Sequence, residues 1–358
     1  MDTLESMGWG PAWAMKFEPF ADGGLCPGRV FAEQREIYVV QSQHGEALAR
    51  VSGRLRHEAR QRAGFPAVGD WVAIDATGGP GQSVIHALVP RLNRFSRKFA
   101  GKDADEQIVA ANLDTLFLVT SLNRELNPRR IERYLTATSA QQVEVCVLLT
   151  KCDLCERPDE AVEKFRSLFP GLAVLALSAH TGEGMASLDS YFSPGRTVAL
   201  VGSSGVGKST LVNRLLGGEL QSVEAIRGDD DRGRHTTTHR EMFRLPRGGL
   251  LIDNPGMREL QLWNDGVDLD STFTDVADLA SRCHYRDCRH EQEPLCAVRE
   301  ALETGTLDGR RYENFCKLQR EIAYLESQQD PAAERERKER FRRICRAQNK
   351  ENRRRERR

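Results

Sequence analysis

The sequence predicts a multidomain chain: a small N-terminal β-barrel, a central α/β domain with a P-loop and a permuted motif order, and a mainly helical C-terminal domain built around a set of metal ligands. Three observations carry this. Gly202, Ser203, Ser204, Gly205, Val206, Gly207, Lys208 and Ser209 spell a complete phosphate-binding loop, G-x-x-x-x-G-K-S. Thr150-Lys-Cys-Asp153 is a T-K-x-D, a close relative of the N-K-x-D that reads guanine, and it lies about fifty residues before that loop instead of after it. Cys283, Cys288, His290 and Cys296 place three thiols and an imidazole in one short stretch.

A chain of 358 residues has room for two or three domains with ample core. Lys+Arg and Asp+Glu both total 52, and the zero net charge hides a local imbalance. From Glu334 onward thirteen Lys/Arg face five Glu, a net charge of +8 that leaves the remainder at about −8. A basic tail on an acidic body points to a polyanionic partner; a solvated helix end explains the same charges less specifically. No apolar run approaches the length of a membrane span. The first thirty residues lack a basic start followed by an apolar stretch, so no signal peptide is expected. Nine Cys is an odd number, and three of them cluster with a His, which favours metal over disulfides. The expectation is a cytoplasmic protein.

Residues 1–27 carry Trp9, Trp13, Phe17 and Phe20 and read as an arm that packs on something. Residues 28–100 hold short alternating apolar runs, such as 35–40, 47–51 and 70–74, punctuated by glycines, the pattern of a small β-barrel. Arg54, Arg56, His57, Arg60 and Arg62 crowd one strand and loop there, which reads as a surface for backbone phosphates or as a solvated edge. Residues 101–270 alternate strands (113–120, 143–149, 173–177, 197–201) with helices (129–140, 159–169), which predicts a parallel sheet covered on both faces. Two more strands fit 242–245 and 250–252. Residues 271–330 read as helical around the Cys/His set, and the basic tail 331–358 is too charged to build a core.

The motifs explain their own residue types. Gly202 and Gly207 let the backbone turn its N–H groups toward phosphate oxygens, and the helix from Lys208 adds its N-terminal dipole. Lys208 reaches the β/γ-phosphates, and Ser209, with Thr210 beside it, ligates Mg²⁺. Asp153 accepts from the guanine N1–H and exocyclic amine, a pair adenine does not present. Lys151 lays its stem along the purine, and Thr150 ties loops through its hydroxyl where Asn is usual. Ser178-Ala179-His180 matches the S-A-x element whose backbone supports the base. Asp253-Asn-Pro-Gly256 fits D-x-x-G, with the Asp on the Mg²⁺ shell and the Gly256 N–H toward the γ-phosphate. In the polar stretch before it, Thr237 or Thr238 is the expected Mg²⁺ switch residue. Met257 stands where many GTPases carry a Gln that orients water, so intrinsic hydrolysis is expected to be slow. His235 is the nearest candidate for that task, with a surface histidine as the plainer reading.

Three thiolates and an imidazole at Cys283, Cys288, His290 and Cys296 suit one closed, tetrahedral, structural Zn²⁺ site that would fold a loop with little core of its own. Arg282, Tyr285, Arg286 and Arg289 decorate it, as in an RNA-contacting knuckle.

Together these residues resemble the RsgA/YjeQ family, the small-ribosomal-subunit-dependent GTPases of bacteria. The resemblance rests on Thr150–Asp153, Gly202–Thr210, Gly233-Arg-His-Thr-Thr-Thr238, Asp253–Gly256 and the Cys/His set, with Gly28-Arg-Val30 and Val68-Gly-Asp-Trp-Val72 in the barrel. It covers residues from about 5 to 325. It implies an OB-fold, a circularly permuted GTPase domain and a zinc domain. It also implies a cytoplasmic monomer that binds the 30S subunit and its 16S rRNA, acts late in 30S maturation, and hydrolyses GTP to GDP with stimulation by the subunit. His235 falls on the family's histidine implicated in hydrolysis. The base reader departs from the family by beginning with Thr150, and the basic tail is longer than expected.

Permutation has a mechanical corollary. The D-x-x-G element leads within about 30 residues to the Cys/His set, so nucleotide state is expected to pass through 257–282, with the barrel as a steadier anchor at the other end. Two competing readings are an RNA-binding zinc protein that uses the nucleotide as a conformational timer, and a P-loop metallochaperone.

Overall fold

The computed structural model describes residues 4–21, 23–34, 36–59, 61–75, 83–99, 105–122, 127–141, 143–218, 240–254, 260, 262–263 and 266–329. The chain divides into two compact units, residues 1–97 with 105–261 and residues 98–104 with 262–358.

In the first unit the arm carries α1 (Pro11–Ala21), whose Trp13 and Phe17 are buried. Trp9 and Trp13 pack on the wholly buried Trp71, with ring centroids 4.8 and 6.1 Å apart. Five strands then close a barrel: β1 (Cys26–Gln34), β2 (Ile37–Ser42), β3 (Gly45–Val51), β4 (Trp71–Ile74) and β5 (Ser83–Leu88). Pairing runs β1–β2–β3–β5–β4 and returns to β1, the connectivity of an OB-fold. Alternation along the strands turns Val30, Val40, Val72, Ile74 and Ile85 inward. The arginine-rich stretch expected as strand and loop is instead helix α2 (Gly53–Glu58) and the turn after it. Ser52 starts the helix by accepting from the Leu55 N–H at 3.1 Å, a cap that overrides the β-pattern. Arg54 pairs with Glu58 at 2.7 Å and Arg56 with Glu36 at 2.8 Å, so part of this charge is met within the barrel. Arg60 lies outside the described residues.

β6 (Arg94–Lys98) and β7 (Glu106–Ala111) form a two-stranded ribbon. The main sheet follows: β8 (Thr115–Ser121), α3 (Pro128–Thr138), β9 (Glu144–Thr150), α4 (Pro158–Leu168), β10 (Ala173–Leu177), β11 (Thr197–Gly202), α5 (Lys208–Leu215), β12 (Glu241–Arg244) and β13 (Leu250–Asp253). Its order is β10-β9-β8-β11-β13-β12, parallel throughout except for β12. Asn127 and Pro128 open α3: the Asn side chain accepts from the Arg129 N–H at 3.1 Å and the Pro presets the first helical φ. The two-residue period puts Leu118, Leu149 and Val201 on one face against Ile131 and Phe165 of α3 and α4. It puts Val119, Leu148 and Leu200 on the other against Leu211 and Val212 of α5.

The barrel joins this sheet twice. β1 pairs antiparallel with β12 at Ala32 and Glu241, making one continuous sheet of 11 strands. Arg29 of β1 is buried and donates to the carbonyls of Met7, Gly69 (3.3 Å) and Asn112 (3.2 Å) and to Thr197 Oγ1 at 2.8 Å, the first residue of β11. Burial pulls its pKa down to about 10, against the opposing pull of Asp114 and Asp70, so it remains charged at neutral pH. Motif order suggests a barrel anchored away from the switches. The β1–β12 pairing adds a tie to the strand that leaves the switch stretch.

The second unit is mainly helical, with α6 (Leu269–Thr272), α7 (Thr274–Ser281), α8 (Ala297–Glu303) and α9 (Gly309–Gln329). Phe273 and Phe315 meet edge-on at 5.5 Å, and Arg311 lies 4.8 Å above Phe273 while bonding Asp275 at 2.7 Å. Burial pushes the Asp275 carboxyl up, but the Arg311 hydrogen bond and charge outweigh it and hold the carboxyl below its ordinary value. Among the described residues no helix is long and apolar enough to cross a membrane.

Candidate nucleotide site and metal centre

Parallel pairing brings the scattered motifs to one edge of the sheet. Ser121 registers with Thr150, Thr150 with Leu177, Gly202 with Val119 and Asp253 with Leu200. The T-K-x-D, the S-A-x element, the G-x-x-x-x-G-K-S loop and the D-x-x-G aspartate therefore all leave the carboxyl ends of strands in this sheet, where open α/β sheets form their ligand crevice.

The phosphate loop is fixed from below. A Cβ on Gly202 would run into the Val119 carbonyl oxygen, and Gly207 holds φ +97° at the start of α5. Val206 is wholly buried in the core under the loop. Lys208 is nearly buried, and its ammonium donates to the carbonyls of Gly202 at 2.7 Å and Ser203 at 2.5 Å. Ser204, Gly205, Ser209 and Thr210 are exposed along the open side.

The Thr150–Asp153 segment is tied to this loop. Thr150 Oγ1 stands 2.5 Å from the Val206 carbonyl and 3.2 Å from that of Thr120. Its single proton serves one acceptor at a time, so Thr150 bridges β8, β9 and the phosphate loop with one hydroxyl. Lys151 reaches across to the Gly205 carbonyl at 2.7 Å, with its stem 4.0 Å from where a Cβ on Gly207 would lie. Asp153 is exposed on the single 3₁₀ turn Cys152–Leu154. Ser178 is buried: its Oγ accepts from the Thr181 N–H at 3.1 Å and its carbonyl from the Gly182 N–H at 2.9 Å. Beside it lies a cavity of about 550 Å³ lined by Ala179, His180, Thr210, Asn213 and Arg214.

Asp253 ends β13, half-buried. Sequence reasoning missed its neighbour Asn254, which is buried with both amide polar atoms lacking partners among the described residues. It also missed Asn213 and Arg214; their spacing of three and four from Thr210 on α5 was the available signal. Gly256, Met257, His235, Thr237 and Thr238 lie outside the described residues. Ser209 and Asp253 are hard oxygen donors, a set that suits Mg²⁺.

In the second unit the ligand atoms of Cys283, Cys288, His290 and Cys296 all lie within 4.8 Å of one another. Cys283 Sγ is 3.6 Å from His290 Nδ1 and 3.9 Å from Cys296 Sγ, and His290 Nδ1 is 3.4 Å from Cys296 Sγ. Ligands at zinc bond lengths around a tetrahedral ion stand roughly 3.5–3.8 Å apart, so the spacing fits. Burial pushes the Cys283 thiol up, but the Val298 and Ala297 N–H groups and the neighbouring thiols carry it below its ordinary value. Burial pushes Cys288 up to about 11, and its sulfur neighbours add to this. A cation among them lets all three ionise together.

Fold and crevice together define a P-loop GTPase with circularly permuted connectivity. The family model described as RsgA GTPase matches residues 88–263. The "Small ribosomal subunit biogenesis GTPase RsgA" of Opitutus terrae is 46% identical over 357 residues, covering 97% of each chain. Its counterpart RsgA 1 from Oceanobacillus iheyensis is 43% identical over 90% of this chain and 92% of that one. The crystal structure of YjeQ from Thermotoga maritima superposes with a TM-score of 0.59 at 26% identity, covering 84% of this chain and 99% of that one. The chain belongs to the RsgA GTPase family and is a GTP hydrolase.

Proposed function

We propose that this GTPase binds the small (30S) ribosomal subunit, acts in its late maturation, and hydrolyses GTP to GDP and phosphate with stimulation by the subunit. The carrying observation is the convergence of Thr150, Lys151, Asp153, the Gly202–Thr210 loop and Asp253 on one sheet edge, in a chain whose relatives are named for that subunit. Lys151 and Asp153 read the base, with Ser178 and Ala179 supporting it. The loop N–H groups and Lys208 hold the phosphates. Ser209, Asp253 and Thr237 or Thr238 would hold the Mg²⁺ that accompanies GTP, which neutralises phosphate charge. Gly256 would meet the γ-phosphate, and His235 is the candidate to orient water in place of the side chain Met257 lacks. Cys283, Cys288, His290 and Cys296 would hold one structural Zn²⁺. The barrel and the cluster's arginines would face 16S rRNA, and the protein would work as a cytoplasmic monomer.

GTP hydrolysis measured alone and with isolated 30S, 50S and 70S particles tests this. Stimulation by 30S particles is expected; equal rates with and without them overturn the reading.

A further inference from the structure

Cys152 and Cys155 bracket Asp153 as a C-x-x-C that the nucleotide site does not use. Two consecutive backbone bonds shape this turn, Leu154 N–H to the Lys151 carbonyl and Cys155 N–H to the Cys152 carbonyl, both at 3.0 Å. Residues three apart in such a turn fall on one face, with Cα atoms less than about 7 Å apart. A disulfide needs about 4.4–6.8 Å, so the backbone spacing accommodates one. The two thiols differ in setting: Cys155 is partly exposed, whereas Cys152 is buried. Burial pushes the Cys152 thiol up to about 11, and the charge of the Glu183 carboxylate adds to this. Glu183 belongs to the base-supporting loop, since its carbonyl accepts the Ser178 N–H at 2.9 Å.

We infer that Cys152 and Cys155 form a reversible, peroxide-sensitive disulfide that disables the guanine reader. This rests on the base-reading role proposed for Asp153. The Cys155 thiolate attacks a peroxide, forming Cys155–S–OH and releasing hydroxide. Cys152 sulfur then attacks Cys155 Sγ, its proton passing to Glu183 and the second hydroxyl leaving as water once protonated. Two thiols and one peroxide become one disulfide and two waters; the thiols lose two electrons and the peroxide gains them. The new bond draws Cys152 away from Glu183 and re-forms the turn carrying Asp153, so both base-binding loops are disturbed by one event.

The test uses the full chain with its metal, treated with limiting hydrogen peroxide. Peptide mass mapping should find a 152–155 disulfide. Affinity for a fluorescent GTP analogue should fall about tenfold or more, the size of one lost charge-assisted hydrogen bond, and a dithiol should restore it. Cys155→Ser should bind GTP normally and keep its affinity under peroxide. Failure to find the disulfide, or an undiminished affinity when it is present, overturns the inference. So does a loss that persists in Cys155→Ser, which would assign the sensitivity to another thiol. Reduced protein that does not bind GTP would sink the nucleotide reading instead.

Discussion

Lys208, Thr150 and Asp253 sit at or beside the ends of buried strands, whereas Cys283, Cys288 and His290 sit in a loop where every residue from 283 to 295 is at least partly exposed. The crevice inherits its geometry from the sheet: Val206 plugs the core, and Thr150 reaches from the end of β9 to β8 and the phosphate loop. The Cys/His loop has no such core: the Glu293 carboxylate accepts from the N–H groups of Arg289, Glu291 and Gln292, helix-end N–H groups meet Cys283, and the backbone carries positive φ at His290 (61°) and Leu295 (58°). One site is held by hydrophobic burial; the other, with the proposed metal bound, would be held by coordination. Changes in the crevice should therefore cost function while leaving the fold intact, and changes in the loop should cost the fold.

The largest effect is expected from metal removal. Structural zinc contributes about 10 kcal/mol or more in small domains that depend on it. Chelation, or Cys296→Ser, should abolish hydrogen-exchange protection across 283–303 while α5 and β11 keep theirs. Retained protection in the loop after verified metal loss would break the comparison. Next is Lys208→Ala: kcat for GTP should fall about a hundredfold or more, as when a charge-stabilising donor is lost. The melting temperature of the first unit should change little. Cooperative unfolding of that unit would show that the lysine's bonds to Gly202 and Ser203 hold the loop.

The difference between the regions also decides what was legible in the sequence. Strand ends with a motif attached recur at intervals of 24 to 51 residues, so the crevice could be assembled from Thr150, Ser178, Gly202 and Asp253 by position alone. The Cys/His spacing was legible for the same reason, since its ligands are local. What escaped were pairings across long stretches of chain: Arg29 with Thr197, and Ala32 beside Glu241. Periodicity records which face of a strand is buried, not which distant strand lies beside it. Helix α2 escaped because its single-turn cap at Ser52 sits inside a β-like pattern. Asn254 escaped because burial of a lone amide leaves no mark on the sequence.

A moderate effect is expected at the base. Asp153→Asn exchanges acceptor for donor at the purine edge, so preference should move from guanosine to xanthosine nucleotides by about one to two powers of ten. Asp153 is exposed, so its replacement should leave stability unchanged, as the comparison requires for a residue on the crevice rim. Unchanged GTP affinity with no gain for the xanthosine nucleotide would remove Asp153 from the role.

The smallest and sharpest test is Thr150. Thr150→Val keeps shape and β-branching but deletes the hydroxyl that bridges the Val206 and Thr120 carbonyls. One neutral hydrogen bond is worth about 1 kcal/mol, with a further penalty for the carbonyl left buried. If the sheet holds the crevice, most of that cost should appear as roughly a fivefold weaker nucleotide affinity. Folding should change by no more than about 1–2 kcal/mol in a denaturant titration. Thr150→Asn should recover the affinity, because an amide supplies two donors where the hydroxyl supplies one. A Val variant with normal affinity and lower stability would reverse the assignment, making Thr150 part of the scaffold. A Val variant that loses hydrolysis but keeps affinity would place the bridge on the path between base reader and phosphate loop.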